Sequence, residues 1–505
     1  MKRRILCIFP RYTPSFGTFE HAYSLRGNTR AFMPPQGLLV IAAAAPSDWE
    51  VRFLDENIAP ARETDFAWAE AVFVSGMHVQ RAAIEDINRR AHRLGKTTVL
   101  GGPSVSACPE QYPDFDYVHI GELGDATDQL FERLAACPAR PRQQICLRTL
   151  ERRPLRDFPA PAYALAHLQK YFIGSVQFSS GCPYQCEFCD IPALYGRVPR
   201  LKTPEQVLRE LDTQLAAGQS GAVYFVDDNF IGNRQRAKAL LLELTAWQMR
   251  HHHPFRFTTE ASLNLADDSE LLQLFEAAGF TSVFLGIETP NESALITARK
   301  LQNTGRDLLA SIRAIQLHGI EVMGGFILGF DTDCEDIFDR LADFIQSSAI
   351  PIAMVGLLQA VPGTRLYRRL VEEGRILTTS TGNNTAAQLN FLPRMNPSSL
   401  IEGYRGVLRQ IYSCDAYYER VTRFLSQCQS ATRLQRRARL SLTSLRALFS
   451  SLFRQGILDR HRLAYWRFVL TAATRYRRSF GTAMTLAVMG YHFQRITDQL
   501  CNQRS

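Results

Sequence analysis

Short apolar segments alternate with helical segments twice along this chain, and this alternation constrains the fold more than any other feature. The pattern is typical of a parallel sheet covered by helices. The strands predicted in the first part are Arg4–Phe9, Glu50–Leu54, Ala71–Val74, Thr97–Leu100 and Tyr117–Ile120. Those predicted in the second part are Val176–Ser179, Ala222–Val226, Phe255–Thr259, Ser282–Ile287, Val322–Leu328 and Val355–Gln359. We therefore expect an α/β chain with a doubly wound first domain and a parallel barrel, partial or full, as the second.

A stretch rich in proline and arginine lies between the two parts, at residues 138–161. Such a composition is typical of a linker. After about residue 370 the strand signals fade, and the remaining sequence predicts helices. We expect four regions: 1–137, a linker at 138–167, 168–370, and a helical region at 371–505.

The positive charge of the chain is concentrated in its last hundred residues. Residues 401–505 contain eighteen Arg, no Lys and five acidic residues, a net charge of +13, whereas the whole chain carries +9. No stretch approaches the roughly 20 apolar residues of a membrane-spanning helix. The apolar run after Arg4 ends at Pro10, too early for a secretion signal. We expect a cytoplasmic protein with reduced cysteines and an anionic partner for the basic region.

Three cysteines follow the first strand of the second domain, at Cys182, Cys186 and Cys189. Thiolates are the usual ligands of iron–sulfur clusters. A tetrahedral zinc site would need a fourth Cys or His, and the flanking sequence offers none nearby. Three thiolates on a [4Fe–4S] cluster leave one iron open to a small molecule. A split zinc site or three structural cysteines are the alternatives.

This Cys-x3-Cys-x2-Cys loop resembles that of the radical S-adenosylmethionine superfamily, whose fold is a (β/α)6 partial barrel. The resemblance implies that the open iron binds S-adenosylmethionine, which is cleaved to a deoxyadenosyl radical. It also implies S-adenosylmethionine contacts for residues that match the family's motifs or lie at the ends of barrel strands. These residues are Phe188, Glu260, Glu288, Gly325 and Gly329.

The first domain resembles the cobalamin-binding domain of cobalamin-dependent radical enzymes. The segment Gly101-Gly102-Pro103-Ser104 follows a strand, and its glycines allow close approach of a nucleotide-like tail. The resemblance implies that these four residues bind cobalamin. His78 lacks the Asp-x-His-x-x-Gly motif, so we do not expect it to bind cobalt. A dinucleotide cofactor is disfavoured because no G-x-G-x-x-G follows a strand.

Further segments, such as Met77-His-Val-Gln80 and Gly121-Glu-Leu-Gly-Asp125, resemble the hopanoid C-2 methylases. The resemblance covers nearly the entire chain and implies methylation of an unactivated carbon, C-2 of a hopanoid. The methyl group would come from methylcobalamin, which a second S-adenosylmethionine would regenerate.

The partners that follow are a hopanoid lipid and an electron donor such as a flavodoxin or ferredoxin. The arginine-rich helices would contact the inner face of the cytoplasmic membrane. A solvated basic face, or arginine side chains packed over a helical core, is the alternative for these helices. No DNA partner is expected. The alternative is a radical enzyme acting on another apolar, peptide or RNA substrate, without methyl transfer if the first domain is vestigial.

Overall fold

The computed structural model describes residues 3–23, 25, 27–219, 221–383, 385–428 and 442–502. Its first sheet is parallel throughout, with the order β2-β1-β3-β4-β5-β6. The strands are β1 (Arg4–Phe9), β2 (Glu50–Asp55), β3 (Ala71–Ser75), β4 (Thr97–Gly101), β5 (Tyr117–Ile120) and β6 (Ile145–Arg148). The helices between them are α1 (Glu20–Tyr23), α2 (Gln36–Ala44), α3 (Glu63–Trp68), α4 (Arg81–Arg93), α5 (Pro103–Ala107) and α6 (Asp125–Ala136).

Both faces of this sheet are buried, as the side chains of β1 illustrate. Ile5 and Cys7 belong to one apolar cluster, whereas Leu6 and Ile8 belong to another. Successive side chains of a strand point to opposite faces, so the two clusters lie on the two sides of the sheet. The doubly wound first domain is confirmed.

The segment expected to be a linker, 138–167, contributes the edge strand β6, which pairs with β5. Leu147 alone of its four residues is buried. So short a strand, with one apolar side chain directed inward, leaves too little alternation to be recognised among prolines and arginines.

The second domain is an open parallel sheet of six strands in the order β14-β13-β12-β11-β10-β7. Its strands are β7 (Gly174–Val176), β10 (Gly221–Phe225), β11 (Phe255–Ala261), β12 (Phe280–Glu288), β13 (Glu321–Leu328) and β14 (Ile352–Leu357). A small antiparallel pair, β8 (Ser179–Ser180) and β9 (Arg200–Leu201), lies beside it. The order is that of a partial barrel, because each strand pairs with the next along the chain and the first does not pair with the last.

Helices follow the barrel strands and continue into the C-terminal region. Those of the barrel are α7 (Ile191–Leu194), α8 (Pro204–Ala216), α9 (Arg234–Arg250), α10 (Ser269–Ala278), α11 (Glu292–Thr297), α12 (Leu308–Leu317) and α13 (Ile337–Ser347). Those beyond it are α14 (Arg365–Glu372), α15 (Pro397–Ile411), α16 (Cys414–Gln427), α17 (Leu442–Phe453), α18 (Arg462–Arg475) and α19 (Phe480–Asn502). No helix in the described ranges has the length and apolar character needed to cross a bilayer.

Glu321, the first residue of β13, makes the stability of the fold dependent on pH. Burial raises the pKa of its carboxyl group to about 7, from an ordinary value of 4.5. Between these values the unfolded chain has released a proton that the folded chain retains, so stability falls as pH rises through this window. We expect Glu321→Gln to raise the melting temperature at pH 8 more than at pH 5. Glu243→Gln, on the exposed surface of α9, should show no such difference.

Candidate functional site

The carboxyl-terminal edges of the two sheets meet at Glu122, which follows β5 of the first domain. Its carboxylate accepts a hydrogen bond from Ser180 Oγ at 3.1 Å and forms ion pairs with Arg200 and, at 3.4 Å, with Arg152. Ser180 precedes Cys182 by two residues. The contact therefore brings the strand ends of the first sheet next to the cysteine loop of the second.

The cysteine loop connects β8 to α7 and is held by groups on both sides. Before the first cysteine, the backbone N–H of Gly181 donates to Asp228 Oδ2 at 2.7 Å. Between the second and third cysteines, Glu187 accepts two hydrogen bonds from Arg369 of α14, at 2.7 and 3.2 Å. This bidentate pair fixes the loop to the C-terminal side of the barrel.

All three thiols of the loop are free of disulfides, and Cys186 is buried. Amides approach two of them: Asn229 Nδ2 lies 3.9 Å from Cys182 Sγ, and Gln302 Nε2 lies 3.6 Å from Cys186 Sγ. Burial raises the pKa of the Cys182 and Cys189 thiols, while the charge of Lys300 acts in the opposite direction. Within the described part of the chain, no three His, Cys, Asp or Glu side chains converge as a single metal ion would require.

The donor set suits an iron–sulfur cluster. The loop offers three unbridged thiols and no fourth protein ligand, and nearby amide N–H groups can donate to sulfur. A buried cation lies beside them and can offset the negative charge of thiolates. These features fit a cluster with three protein ligands.

That cation, Lys300, pairs with Glu288 at the end of β12. Lys300 Nζ lies 2.7 Å from Glu288 Oε1, and both side chains are buried. Burial lowers the pKa of Lys300, but Glu288 and the thiols of Cys186 and Cys189 outweigh this effect and raise it overall. A side chain at Gly286 would collide with both members of the pair, so the glycine makes room for it. Glu288 itself has a left-handed backbone, with φ 71°.

Other carboxylates lie at the same edge of the barrel. Glu260 is the second-last residue of β11. It accepts a hydrogen bond from Tyr224 Oη at 3.2 Å. Burial, reinforced by the charge of Asp228, raises its pKa to about 7. Asp227, directly before Asp228, accepts hydrogen bonds from the backbone N–H groups of Phe178 and Ser179.

The remaining residues expected to contact S-adenosylmethionine border this edge. The ring of Phe188 packs edge-to-face on Phe330, with the centroids 6.1 Å apart. Gly325 lies within β13, where a Cβ would approach the ring of Phe284 to 2.9 Å. Gly329 follows β13 with φ 102°, and its N–H donates to Asp333 at 3.0 Å. Four of these five residues lie at or just after strand ends or in the cysteine loop, whereas Gly325 lies within β13, three residues before its end.

The residues expected to bind cobalamin form the turn from β4 to α5. Gly101 ends β4, Gly102 has φ +93°, and Pro103 begins α5. The buried Ser104 Oγ contacts Tyr112 Oη at 2.5 Å and His78 Nδ1 at 3.0 Å. His78 Nε2 is buried and has no hydrogen-bond partner among the described residues. The tight turn brings the backbone of these residues to the edge of the first sheet that faces the cysteine loop.

Gly102→Ala tests whether this turn is needed for cobalamin binding. The new Cβ would collide with Ser75 Oγ in a backbone conformation that disfavours L side chains. We expect a loss of about 1–3 kcal/mol of unfolding free energy and weaker cobalamin binding, measured by titration. Gly406→Ala, in α15 and away from this turn, is the control, because its Cβ would meet nothing within 4 Å and its φ is not positive. Equal cobalamin affinity in both variants would contradict this role of the turn.

Several groups at the site were not found from the sequence. Lys300 and Arg369 are common residue types without a motif. Each reaches the cysteine loop or its neighbours only through tertiary contacts. Glu122 lies in a segment that resembles the family but whose spacing marks no site residue.

Comparisons with known proteins agree with this arrangement. Residues 24–131 match the B12 binding domain, residues 176–345 the radical SAM superfamily, and residues 364–505 a domain of unknown function, DUF4070. The chain is 48% identical to hopanoid C-2 methylase of Rhodopseudomonas palustris over 94% of its own length and 90% of the relative's.

Two solved structures share the fold at 14% sequence identity. The radical S-adenosylmethionine methyltransferase TsrM from Kitasatospora setae, with cobalamin and a [4Fe–4S] cluster bound, gives a TM-score of 0.64 over 94% of this chain and 100% of its own. The cobalamin-dependent radical enzyme OxsB, with aqua-cobalamin and S-adenosylmethionine bound, gives a TM-score of 0.62 over 99% of this chain and 80% of its own.

The fold and the site define a radical S-adenosylmethionine enzyme with a cobalamin-binding domain. Within that class the chain belongs to the hopanoid C-2 methylase family. The fold class and family expected from the sequence are both confirmed.

Proposed function

We propose that this protein is a cobalamin-dependent radical S-adenosylmethionine methyltransferase that methylates an unactivated carbon, C-2 of a hopanoid. The 48% identity to hopanoid C-2 methylase along nearly the whole chain carries the proposal. The contact between Glu122 and Ser180 supports it, because methyl transfer between two cofactors requires their binding edges to be adjacent.

The cysteine loop is the proposed cluster site, with Cys182, Cys186 and Cys189 as ligands. Asp228 and Arg369 position the loop from either side, through Gly181 and Glu187. Lys300 offsets thiolate charge in a buried setting where water cannot do so.

The edge of the barrel is the proposed site for S-adenosylmethionine. Glu260 and Glu288 can hold the ribose or the methionine portion, because carboxylates accept hydrogen bonds from hydroxyl and ammonium groups. Phe188, Gly325 and Gly329 border the adenine. Gly101, Gly102, Pro103 and Ser104 receive the nucleotide tail of cobalamin.

When bound, the cluster and S-adenosylmethionine supply the one-electron chemistry that breaks an inert C–H bond, and cobalamin supplies the methyl group. The chain itself binds and orients these groups and excludes water from between the two sheets.

The substrate is a polycyclic lipid, and the cluster needs an external electron donor such as a flavodoxin or ferredoxin. The enzyme works in the cytoplasm and meets its substrate at the inner face of the cytoplasmic membrane. A basic C-terminal region agrees with this location, because the cytoplasmic leaflet is anionic.

Expression in a bacterium that makes hopanoids without a 2-methyl group tests the substrate. Mass spectrometry of the lipid extract should show 2-methylhopanoids in cells carrying the gene and none in cells carrying Cys189→Ala. Methylation at another ring carbon, or an unchanged lipid profile from soluble and cluster-loaded protein, would contradict the proposed substrate.

A further inference from the structure

An exposed apolar surface lies where α17 passes into α18. We call residues 453–467 the hairpin tip: the end of α17, a π-helical turn (Arg454–Leu458), a short loop and the start of α18. Five large apolar side chains of the tip are exposed: Phe453, Ile457, Leu458, Leu463 and Trp466. A folded chain rarely leaves so many together in water unless something covers them.

The fold holds these side chains outward because the opposite face of the same elements is packed. Tyr465 Oη lies 2.9 Å from the buried Ser451 Oγ of α17, and Phe468 stacks on Tyr418 of α16 with the centroids 4.6 Å apart. Trp466 Nε1 donates to the carbonyl of Gly456 at 3.0 Å, which joins α18 to the π-helical turn. Rotating the tip to bury its apolar residues would break these contacts.

Exposed arginines are interspersed with the apolar residues along the tip. They are Arg454, Arg460, Arg462 and Arg467, against a single acidic residue, Asp459. Arg460 and Arg467 also lie near Asp498 and Asp415, at 3.8 and 2.6 Å, but these ion pairs are strongly exposed and worth little. The tip therefore presents exposed apolar side chains together with exposed positive charge.

We propose that the hairpin tip docks on an anionic lipid bilayer. Apolar side chains flanked by arginines match the boundary between acyl chains and negatively charged headgroups. A second copy of the tip would bring two sets of four arginines together, which opposes self-association. Nucleic acid would engage the arginines but leave the aliphatic side chains in water.

This inference rests on the proposed function and extends it. A lipid substrate requires contact with the membrane, and the hairpin tip is the surface that would make this contact. It assigns a role to the tip within the domain of unknown function. The lipid contact is separate from the chemistry of the cysteine loop, so each can fail without the other.

Vesicle binding by the full-length, anaerobically purified protein tests the proposal. We expect the protein to float with vesicles of phosphatidylcholine and phosphatidylglycerol, to bind vesicles of phosphatidylcholine alone more weakly, and to be released by salt. Tryptophan emission should shift to the blue on binding and be quenched by brominated lipid. Trp466→Phe should remove both signals, because Trp247 is buried and Trp49 and Trp68 belong to the first domain.

Leu463→Ser and Leu150→Ser form a matched pair, with wild-type leucines 81% and 79% exposed. Leu150 follows β6 of the first sheet, outside the tip. Burying one leucine in a bilayer is expected to change the partition coefficient about tenfold. Leu463→Ser should therefore weaken vesicle binding by about that factor, and Leu150→Ser should not. Arg462→Gln should weaken binding only to vesicles that contain phosphatidylglycerol, about fivefold.

Three results would overturn the inference: absence of vesicle binding, equal binding by Leu463→Ser and the wild type, and lipid-free association that depends on the tip. Vesicle binding without hopanoid methylation would leave the tip's role intact and reject the proposed function. Methylation of detergent-dispersed hopanoid without vesicle binding would support the proposed function and reject the role of the tip.

Discussion

Alanine at Cys182, Cys186 or Cys189 is expected to abolish methylation and prevent cluster binding. Each thiol is free of disulfides, and residues 181–190 contain no fourth Cys and no His that could replace it. A cluster reduced to two protein ligands should be lost on purification. Iron and sulfide analysis after anaerobic reconstitution, together with the iron–sulfur absorbance, measures the loss directly.

Cys146→Ala is the matched control, because this cysteine is also free and lies exposed on β6. It should retain iron, sulfide and activity at wild-type levels. Full activity in Cys182→Ala, or zinc in place of iron in the wild type, would contradict the assignment of the loop.

The second large effect is expected at the ion pair of Lys300 and Glu288. Lys300→Met would leave the carboxylate of Glu288 buried without its partner, and removing one member of a buried pair typically costs about 3–5 kcal/mol. The free energy of unfolding of the cofactor-free protein, measured in urea, should fall by that amount. Because both side chains are less than one-eighth exposed, at 11% and 8%, solvent screening does not reduce this cost much.

The double variant Glu288→Gln/Lys300→Met separates the charge from the packing. Without either charge, most of the lost stability should return, so the two substitutions should be strongly non-additive. Additive losses would show that the contact contributes through shape alone. In the double variant we expect weak binding of S-adenosylmethionine, because Glu288 is one of its proposed contacts.

The sequence predicts the two sheets well because strands such as β1 and β5 are buried on both faces and read as apolar runs. The strand Arg4–Phe9 and the strand Tyr117–Ile120 have the predicted bounds. The short edge strand β6 was missed, because one buried side chain carries no periodicity. The pair β8 and β9 was missed for the same reason, as each has two residues.

At the site, residues that belong to a motif can be predicted from the sequence. Residues that reach the site only through tertiary contacts cannot. Cys182 and its partners are marked by their spacing, and Gly102 by its place after a strand. Lys300 reaches Glu288 from twelve residues away, beyond helix α11, and Arg369 reaches Glu187 across 182 residues. Such pairings depend on tertiary packing that no spacing in the sequence records.

The most direct test is a reaction of the purified, cluster- and cobalamin-loaded protein with a hopanoid, a reductant and S-adenosylmethionine carrying a deuterated methyl group. The proposed function predicts a 2-methylhopanoid that carries the deuterated methyl group after repeated turnover, together with 5′-deoxyadenosine. Deoxyadenosine without any methylated hopanoid, from protein shown to hold both cofactors, would contradict it.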